Sequence, residues 1–177
     1  MNILSYEHCA AKYYTTALLE LDSMENKHRL LMVEDSQTLA AIYASYLSER
    51  EFELCIVDSL ARARDEWPRF NPDIVLLDVE LPDGHGLDLL KNPPDSESVP
   101  EILVMTAFGS SEMAVEAIRI GAFDYLSKPF NADRLHVTLN NALDQRRLKS
   151  TVDQLAELRR EKYCDFIGGS LPMQSVY

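Results

Sequence analysis

Along residues 29–130 the hydrophobic positions fall into two alternating patterns. Five short runs are mostly apolar: RLLMV (29–33), ELCIV (53–57), DIVLL (73–77), EILVM (101–105) and DYLS (124–127). Runs of that length without polar alternation predict strands buried on both faces. Between them the apolar residues recur at helical spacing. Leu39, Ile42, Tyr43, Tyr46 and Leu47 follow Ser36, which predicts a first helix capped by that serine. Ala61 to Phe70 predicts a second. Gly86 to Asn92 predicts a short third, cut off by Pro93-Pro94. Ser111 predicts the cap of a fourth helix that stops at Gly121, and a fifth starts near Ala132.

Strand–helix alternation with fully buried strands means an α/β fold, a parallel sheet covered on both faces. Five such units in about 100 residues are too few for a closed barrel, which takes about 250. They fit the flavodoxin-like strand order 2-1-3-4-5. In that arrangement sites form beyond the carboxyl ends of the strands, where the strand order switches.

Two stretches flank this unit. In residues 1–27, Ala10, Tyr14, Ala17, Leu18, Leu21 and Met24 recur at helical spacing, which reads as a short amphipathic helix or a weakly ordered leader. At the other end the helical pattern continues through LHVTLNNALDQRRLKSTVDQLAELRREK without Gly or Pro. That is longer than a crossover helix needs. Leu148, Val152, Leu155 and Leu158 keep an apolar stripe past the point where the domain should end. Such a stripe predicts a partner, here a second copy in a homodimer, over a lone exposed helix. The organisation expected is an extension at 1–27, the main domain at 28–146 and a helical linker at 147–165. Residues 166–177 close the chain, with Gly168-Gly169 and Pro172 marking a turn.

The charge balance narrows the partners. With 17 Lys and Arg against 29 Asp and Glu, the net charge is −12. A surface of that sign repels nucleic acid, so DNA binding by this chain alone is not expected. Divalent metal or a basic protein face suits it. Cys9, Cys55 and Cys164 are far apart and match no zinc spacing, which fits a reducing cytoplasm. The start MNILSYEHCAAKYY lacks the basic and apolar regions of a signal peptide, and no stretch reaches the length of a membrane span.

The polar residues that follow the strands carry the chemistry. VLLDVELPDGHG puts Asp78 at the end of the third strand, where an unpaired carboxylate is costly. The first strand ends in Glu34-Asp35, the fourth in Thr106 and the fifth in Lys128-Pro129. In the 2-1-3-4-5 order these strands are neighbours, so their ends share one crevice. Crowded carboxylates raise one another's pKa, and a hard dication relieves the repulsion. Mg²⁺ prefers oxygen ligands with water completing its shell. Asp35 and Asp78 are expected as direct ligands, the Glu80 backbone carbonyl as a third, and Glu34 as a ligand through water. Lys128 offers a flexible point charge for a phosphoryl group, and Thr106 a hydroxyl donor. A carboxylate nucleophile beside Mg²⁺, lysine and a hydroxyl can form a transient aspartyl phosphate.

The ordered set Glu34-Asp35, Asp78, Thr106 and Lys128-Pro129 resembles the receiver domain of two-component response regulators, a CheY-like fold. The resemblance covers roughly residues 28–146. It implies that Asp78 takes a phosphoryl group from the phosphohistidine of a sensor kinase or histidine phosphotransfer protein. It also implies that Thr106 then moves toward the phosphoryl oxygens and that Tyr125 rotates inward. The surface of the fourth helix, last strand and fifth helix changes with them, and Pro129 follows a cis bond. Plain packing would equally explain Tyr125, and a simple turn Lys128-Pro129. A receiver followed by a long helix and FIGGSLPMQSVY resembles the NtrC class of sigma-54-dependent activators, where such a segment opens an AAA+ ATPase domain. Within that class LLMVEDSQTLAAIYASYL and FIGGSLPMQSVY are similar to the quorum-sensing regulators of vibrios.

Other polar residues read more plainly. Asp58 and Asp83 are expected as helix-start residues rather than ligands. His85 reads as a solvated loop residue, and His8, His28 and His136 carry no signal. No G-x-x-x-x-G-K-[ST] run or basic helix-turn-helix occurs, so neither ATP hydrolysis nor promoter binding is expected of this chain. A rival, the Mg²⁺-dependent phosphohydrolases of haloacid dehalogenase type, looks for D-x-D-x-[TV] at its first strand. Here Asp78-Val79-Glu80 follows the third. A flavodoxin would cradle phosphate after the first strand, where Glu34-Asp35 would repel it.

Overall fold

The computed structural model describes residues 27–168 other than 97 and 108–110; side chains are not described at 111–112 and 153–168. The leader at 1–26 and the segment 169–177 therefore lie outside the described residues. Five strands, β1 (His28–Val33), β2 (Phe52–Val57), β3 (Ile74–Asp78), β6 (Glu101–Thr106) and β7 (Asp124–Ser127), form one parallel sheet. Their order is β2-β1-β3-β6-β7, the predicted flavodoxin-like arrangement. Five helices alternate with them: α1 (Gln37–Tyr46), α2 (Leu60–Phe70), α3 (Leu87–Lys91), α4 (Ser111–Ile120) and α5 (Ala132–Gly168). Two short strands, β4 (Glu80–Leu81) and β5 (Gly84–His85), pair as an antiparallel hairpin between β3 and α3.

The two faces of the sheet are set by the strict alternation of side chains along each strand. Leu31, Val33, Val75 and Leu77 face one way and pack with Ala63 and Trp67 of α2, Leu87 and Leu90 of α3 and Ala117 of α4. Leu30, Met32, Ile74 and Leu76 face the other way, against Ala40 and Tyr43 of α1 and Leu135, Leu139 and Ala142 of α5. Each such buried aliphatic side chain contributes roughly 1.5–3 kcal/mol. A one-residue slip of a strand would exchange the two faces, so the packing fixes the register.

Three helix starts differ by one residue from expectation. α2 begins at Leu60 because Ser59 is its cap, and α3 begins at Leu87 after Gly86. Ser111 is the first residue of α4 rather than the residue before it. The Ser36 cap is as expected, its hydroxyl accepting from Leu39 N.

Asp83 is a helix-start residue, but not of the helix that follows it. Its carboxylate accepts from Leu60 N and Ala61 N, both at 2.9 Å, and so caps α2 from across the fold. The Leu60 amide holds the Asp83 carboxyl below the usual carboxylate range, with the Ala61 amide adding to it.

α5 runs without a break through residue 147, where the helical linker was expected to continue it. Its middle is tied to the amino-terminal edge of the sheet. Arg146 pairs with Asp73 at 2.9 Å and donates to Val99 O at 2.9 Å, and Lys149 pairs with Glu101. Leu148 and Val152 beyond are 69% and 63% exposed, so the part of the apolar stripe that can be seen is uncovered. Leu155 and Leu158 fall among the residues whose side chains are not described. Among the described residues no helix is long and apolar enough to cross a membrane.

Candidate functional site

The backbone ladder continues just past the strand ends, and this is what gathers the polar side chains. Glu34 N donates to Val57 O at 3.0 Å, Val79 N to Met105 O at 3.0 Å and Lys128 N to Thr106 O at 2.8 Å. Glu34, Asp78 and Lys128 are thereby held at the same end of β1, β3 and β7, with β6 lying between the last two. Asp78 stands level with Met105, so Thr106 lies one residue further along the neighbouring strand, and Thr106 pairs in register with Ser127. Thr106 is 3% exposed.

The centre of the crevice is an ion cluster. The Lys128 ammonium donates to Asp78 Oδ2 at 2.7 Å and to Glu34 Oε2. Glu34 and Asp78 are almost fully buried, at 2% and 6% exposure. Burial pushes the Glu34 carboxyl up, against the opposing pull of Lys128. Burial alone would lower the Lys128 ammonium, but its bonds to Asp78 and Glu34 win and hold it above its ordinary value. Two buried carboxylates share this one cation.

Asp35 stands at the mouth and is exposed. Carboxylate oxygens of Glu34, Asp35 and Asp78 lie within 4.8 Å of one another, a spacing that one cation can bridge. Hard oxygen donors, partly open to water, fit Mg²⁺ better than zinc or copper. Glu80 N approaches Asp78 Oδ1 at 3.4 Å, so the backbone at Glu80 sits against the Asp78 carboxylate.

The remaining expected residues are placed as follows. The Lys128–Pro129 bond is cis. Tyr125 lies on β7 opposite Val104 and is 38% exposed, so its ring is not in the core. Asp58 flanks the cap of α2, accepts from Ser59 Oγ and pairs with Arg62 at 3.5 Å. His85 lies on β5 and is exposed, on a strand rather than in a loop. Leu148 and Val152 are far along α5 and take no part in the crevice.

Two contributors were not legible in the sequence. Phe130, just after Lys128-Pro129, stacks on Tyr43 of α1 with centroids 4.2 Å apart and planes at 16°. That stack anchors the loop carrying Lys128 on the helix that follows Glu34-Asp35. Helical periodicity flagged Tyr43 as apolar, but nothing local pointed to Phe130. The other is the β4–β5 hairpin, whose strands of two residues are too short for any periodicity to register.

Comparisons with known proteins agree with this geometry. The model of the response regulator receiver domain matches residues 30–140. The regulatory protein LuxO of Vibrio cholerae is 44% identical over 147 residues, which are 82% of this chain and 31% of that protein. The regulatory protein AtoC of Escherichia coli is 31% identical over 128 residues, 72% of this chain and 28% of AtoC. The chain thus spans about a third of the length of the curated relatives it matches. Among solved structures, the signal receiver domain of a protein described as a LuxO repressor, from Vibrio parahaemolyticus, superposes with a TM-score of 0.65. It is 34% identical and covers 72% of this chain and 98% of that one. The resemblance drawn from the strand-end residues is therefore found again over the whole domain, and the chain belongs to the response regulator receiver family.

Proposed function

We propose that Asp78 is the phosphoacceptor of this receiver domain and that the crevice works with Mg²⁺. The observation that supports this most is Lys128 held between Asp78 and Glu34, in a crevice where oxygens of Glu34, Asp35 and Asp78 lie within 4.8 Å of one another. An Asp78 oxygen attacks the phosphorus of a phosphohistidine in line. An O–P bond forms, the N–P bond breaks, and the imidazole leaves. The nucleophile is already a carboxylate and needs no base. Lys128 neutralises charge on the transferring group, and Thr106 donates its hydroxyl to a phosphoryl oxygen. Asp35, Asp78 and the Glu80 carbonyl would hold the cation directly and Glu34 through water. When bound, the cation supplies charge neutralisation of the phosphoryl oxygens. Tyr125, exposed before phosphorylation, is the residue that would turn inward afterwards.

Acetyl phosphate with Mg²⁺ should add one phosphoryl group, labile to base and to hydroxylamine. Asp78→Asn should abolish the label in intact-mass measurement. A label that persists in that variant would place the acceptor elsewhere.

The chain's chemistry is then directed only at itself. The donor would be a sensor kinase or a histidine phosphotransfer protein, LuxU-like given the LuxO likeness. Phosphorylation would switch a sigma-54 activator ATPase domain of AAA+ type beginning near residue 166, and through it transcription in quorum sensing. The setting would be cytoplasmic, with no DNA binding by this part. The haloacid dehalogenase reading finds no support, since Asp78 ends β3 rather than β1.

The exposed stripe on α5 supports a homodimer. Leu148→Asp and Leu155→Asp are each expected to shift sedimentation toward monomer. An unchanged dimer would move the interface to the α4–β7–α5 face.

A further inference from the structure

We propose that Asp83 is a positioning residue for the chemistry at Asp78, acting by tethering the β4–β5 hairpin to the start of α2. The inference rests on the phosphoacceptor reading above. Glu80, whose carbonyl is assigned to the cation there, opens this hairpin, and its N–H faces the Asp78 carboxylate. The hairpin has only two bridging pairs, Glu80 with His85 and Leu81 with Gly84. Two-stranded hairpins of ordinary length are marginal in water, and this one is shorter still. Something outside it must hold it.

Three contacts do so. Leu81 is buried in the core, and Gly86 N donates to Val79 O at 2.7 Å, which closes the base. Asp83 fixes the tip. Its two oxygens take the first two amides of α2, Leu60 N and Ala61 N, while Ser59 Oγ takes the third, Arg62 N, at 3.5 Å. These amides belong to an 11-residue helix packed into the core through Ala63 and Trp67. The tip is thus bonded to a rigid element that is not itself part of the crevice. An ordinary cap would stabilise only its helix, and Ser59 already occupies that role. Asp83 lies on a different loop, and its bonds constrain both partners. Without them the hairpin would pivot on its base, and the Glu80 backbone would move relative to Asp78.

The test is Mg²⁺ titrated into the chain, followed by calorimetry, for wild type, Asp83→Ala, Asp83→Asn and Ser59→Ala. Asp83→Ala is expected to weaken Mg²⁺ roughly tenfold, the scale of losing an outer support of a metal site. Asp83→Asn keeps only one of the two accepting oxygens and should recover part of that loss, leaving Mg²⁺ roughly threefold weaker than in wild type. Ser59→Ala removes a cap from the same helix end and should lower the melting temperature while leaving Mg²⁺ affinity unchanged. Labelling by acetyl phosphate should slow in the same order. Affinities of Asp83→Ala and wild type within about twofold, or an equal loss in Ser59→Ala, would reduce Asp83 to a plain cap and overturn the proposal. Should Asp83→Ala fail to fold, Asp83→Asn against Ser59→Ala decides. A loss confined to Asp83→Asn supports the tether, and equal affinities overturn it. A wild type that binds no Mg²⁺ and takes no label would bring down the phosphoacceptor reading itself, and the tether with it.

Discussion

Lys128→Met is expected to destabilise the metal-free protein strongly and to make its stability depend on Mg²⁺. The ammonium is the shared partner of Glu34 and Asp78, whose side chains are 1% and 9% exposed. Removing one member of a buried ion cluster leaves uncompensated charge and costs about 3–5 kcal/mol. Protonation of Glu34, already favoured by burial, offsets part of this. In the wild type, a cation bound at about millimolar affinity would contribute roughly 1.4 kcal/mol at 10 mM by mass action, a shift of a few degrees. In Lys128→Met the Mg²⁺ shift should be larger, because the cation then relieves repulsion that lysine no longer screens. Labelling should still fall by about 10²–10³, since a cation beside the carboxylates does not replace the ammonium at the phosphoryl group.

The pH dependence follows from the same cluster. Lys128 is held above its ordinary value, so its stabilisation is complete at neutral pH and is lost as pH rises through the folded value in the strongly alkaline range. Lys128→Met should lack that alkaline loss. Asp35→Ala supplies the contrast. Asp35 is exposed, so its removal relieves repulsion with no loss of packing. It should raise the metal-free melting temperature and abolish most of the Mg²⁺ shift. Thermal melts in EDTA and in Mg²⁺ measure all three proteins. Equal Mg²⁺ shifts in wild type and Asp35→Ala would remove Asp35 from the ligand set.

Gly86→Ala is the second large effect, and space rather than backbone freedom decides it. Gly86 has φ −53° and ψ −34°, which any residue adopts. A Cβ there would lie 2.0 Å from the Asp78 carbonyl oxygen, 3.0 Å from its carbonyl carbon and 3.1 Å from Val79 Cα. All three are backbone atoms and cannot turn aside. The chain must open at Asp78 itself, which also stretches the Gly86 N to Val79 O bond. Overpacking costs about 1–3 kcal/mol where side chains can yield, and here none can, so the upper end or more is expected. The same shift displaces the phosphoacceptor, and a misplacement of about 1 Å costs on the order of 10² in rate. Gly121→Ala separates the two effects. Gly121 has φ +124° but nothing within 4 Å of an added Cβ. It should lower the melting temperature through backbone strain and leave labelling by acetyl phosphate untouched. Normal labelling in Gly86→Ala would show that the hairpin base does not set the position of Asp78.

What the sequence determined by itself was whatever depends on near neighbours. The strands of the sheet were legible because burial on both faces demands continuous apolar runs, as in Val75-Leu76-Leu77. The polar residues that end them were conspicuous for the same reason, and α/β alternation with parallel strands fitted the flavodoxin-like order. Given that order, the strand ends bring Glu34, Asp35, Asp78, Thr106 and Lys128 toward one crevice. How they interact is a property of the folded chain. That one ammonium serves two buried carboxylates depends on side chains 94 and 50 residues apart meeting across β1, β3 and β7. That Asp83 caps a helix beginning 23 residues before it, and that Phe130 stacks on Tyr43, depends on how loops pack over the sheet. Periodicity records which face of an element is buried, not which atom of a distant loop completes its hydrogen bonds. The same limit applies to α5, where Arg146 and Asp73 meet at 2.9 Å only because the helix returns along the sheet. Local pattern thus fixes the elements and the chemistry at their ends. The distances, the shared partners and the tethers belong to the folded chain, because they are properties of pairs that the sequence keeps far apart.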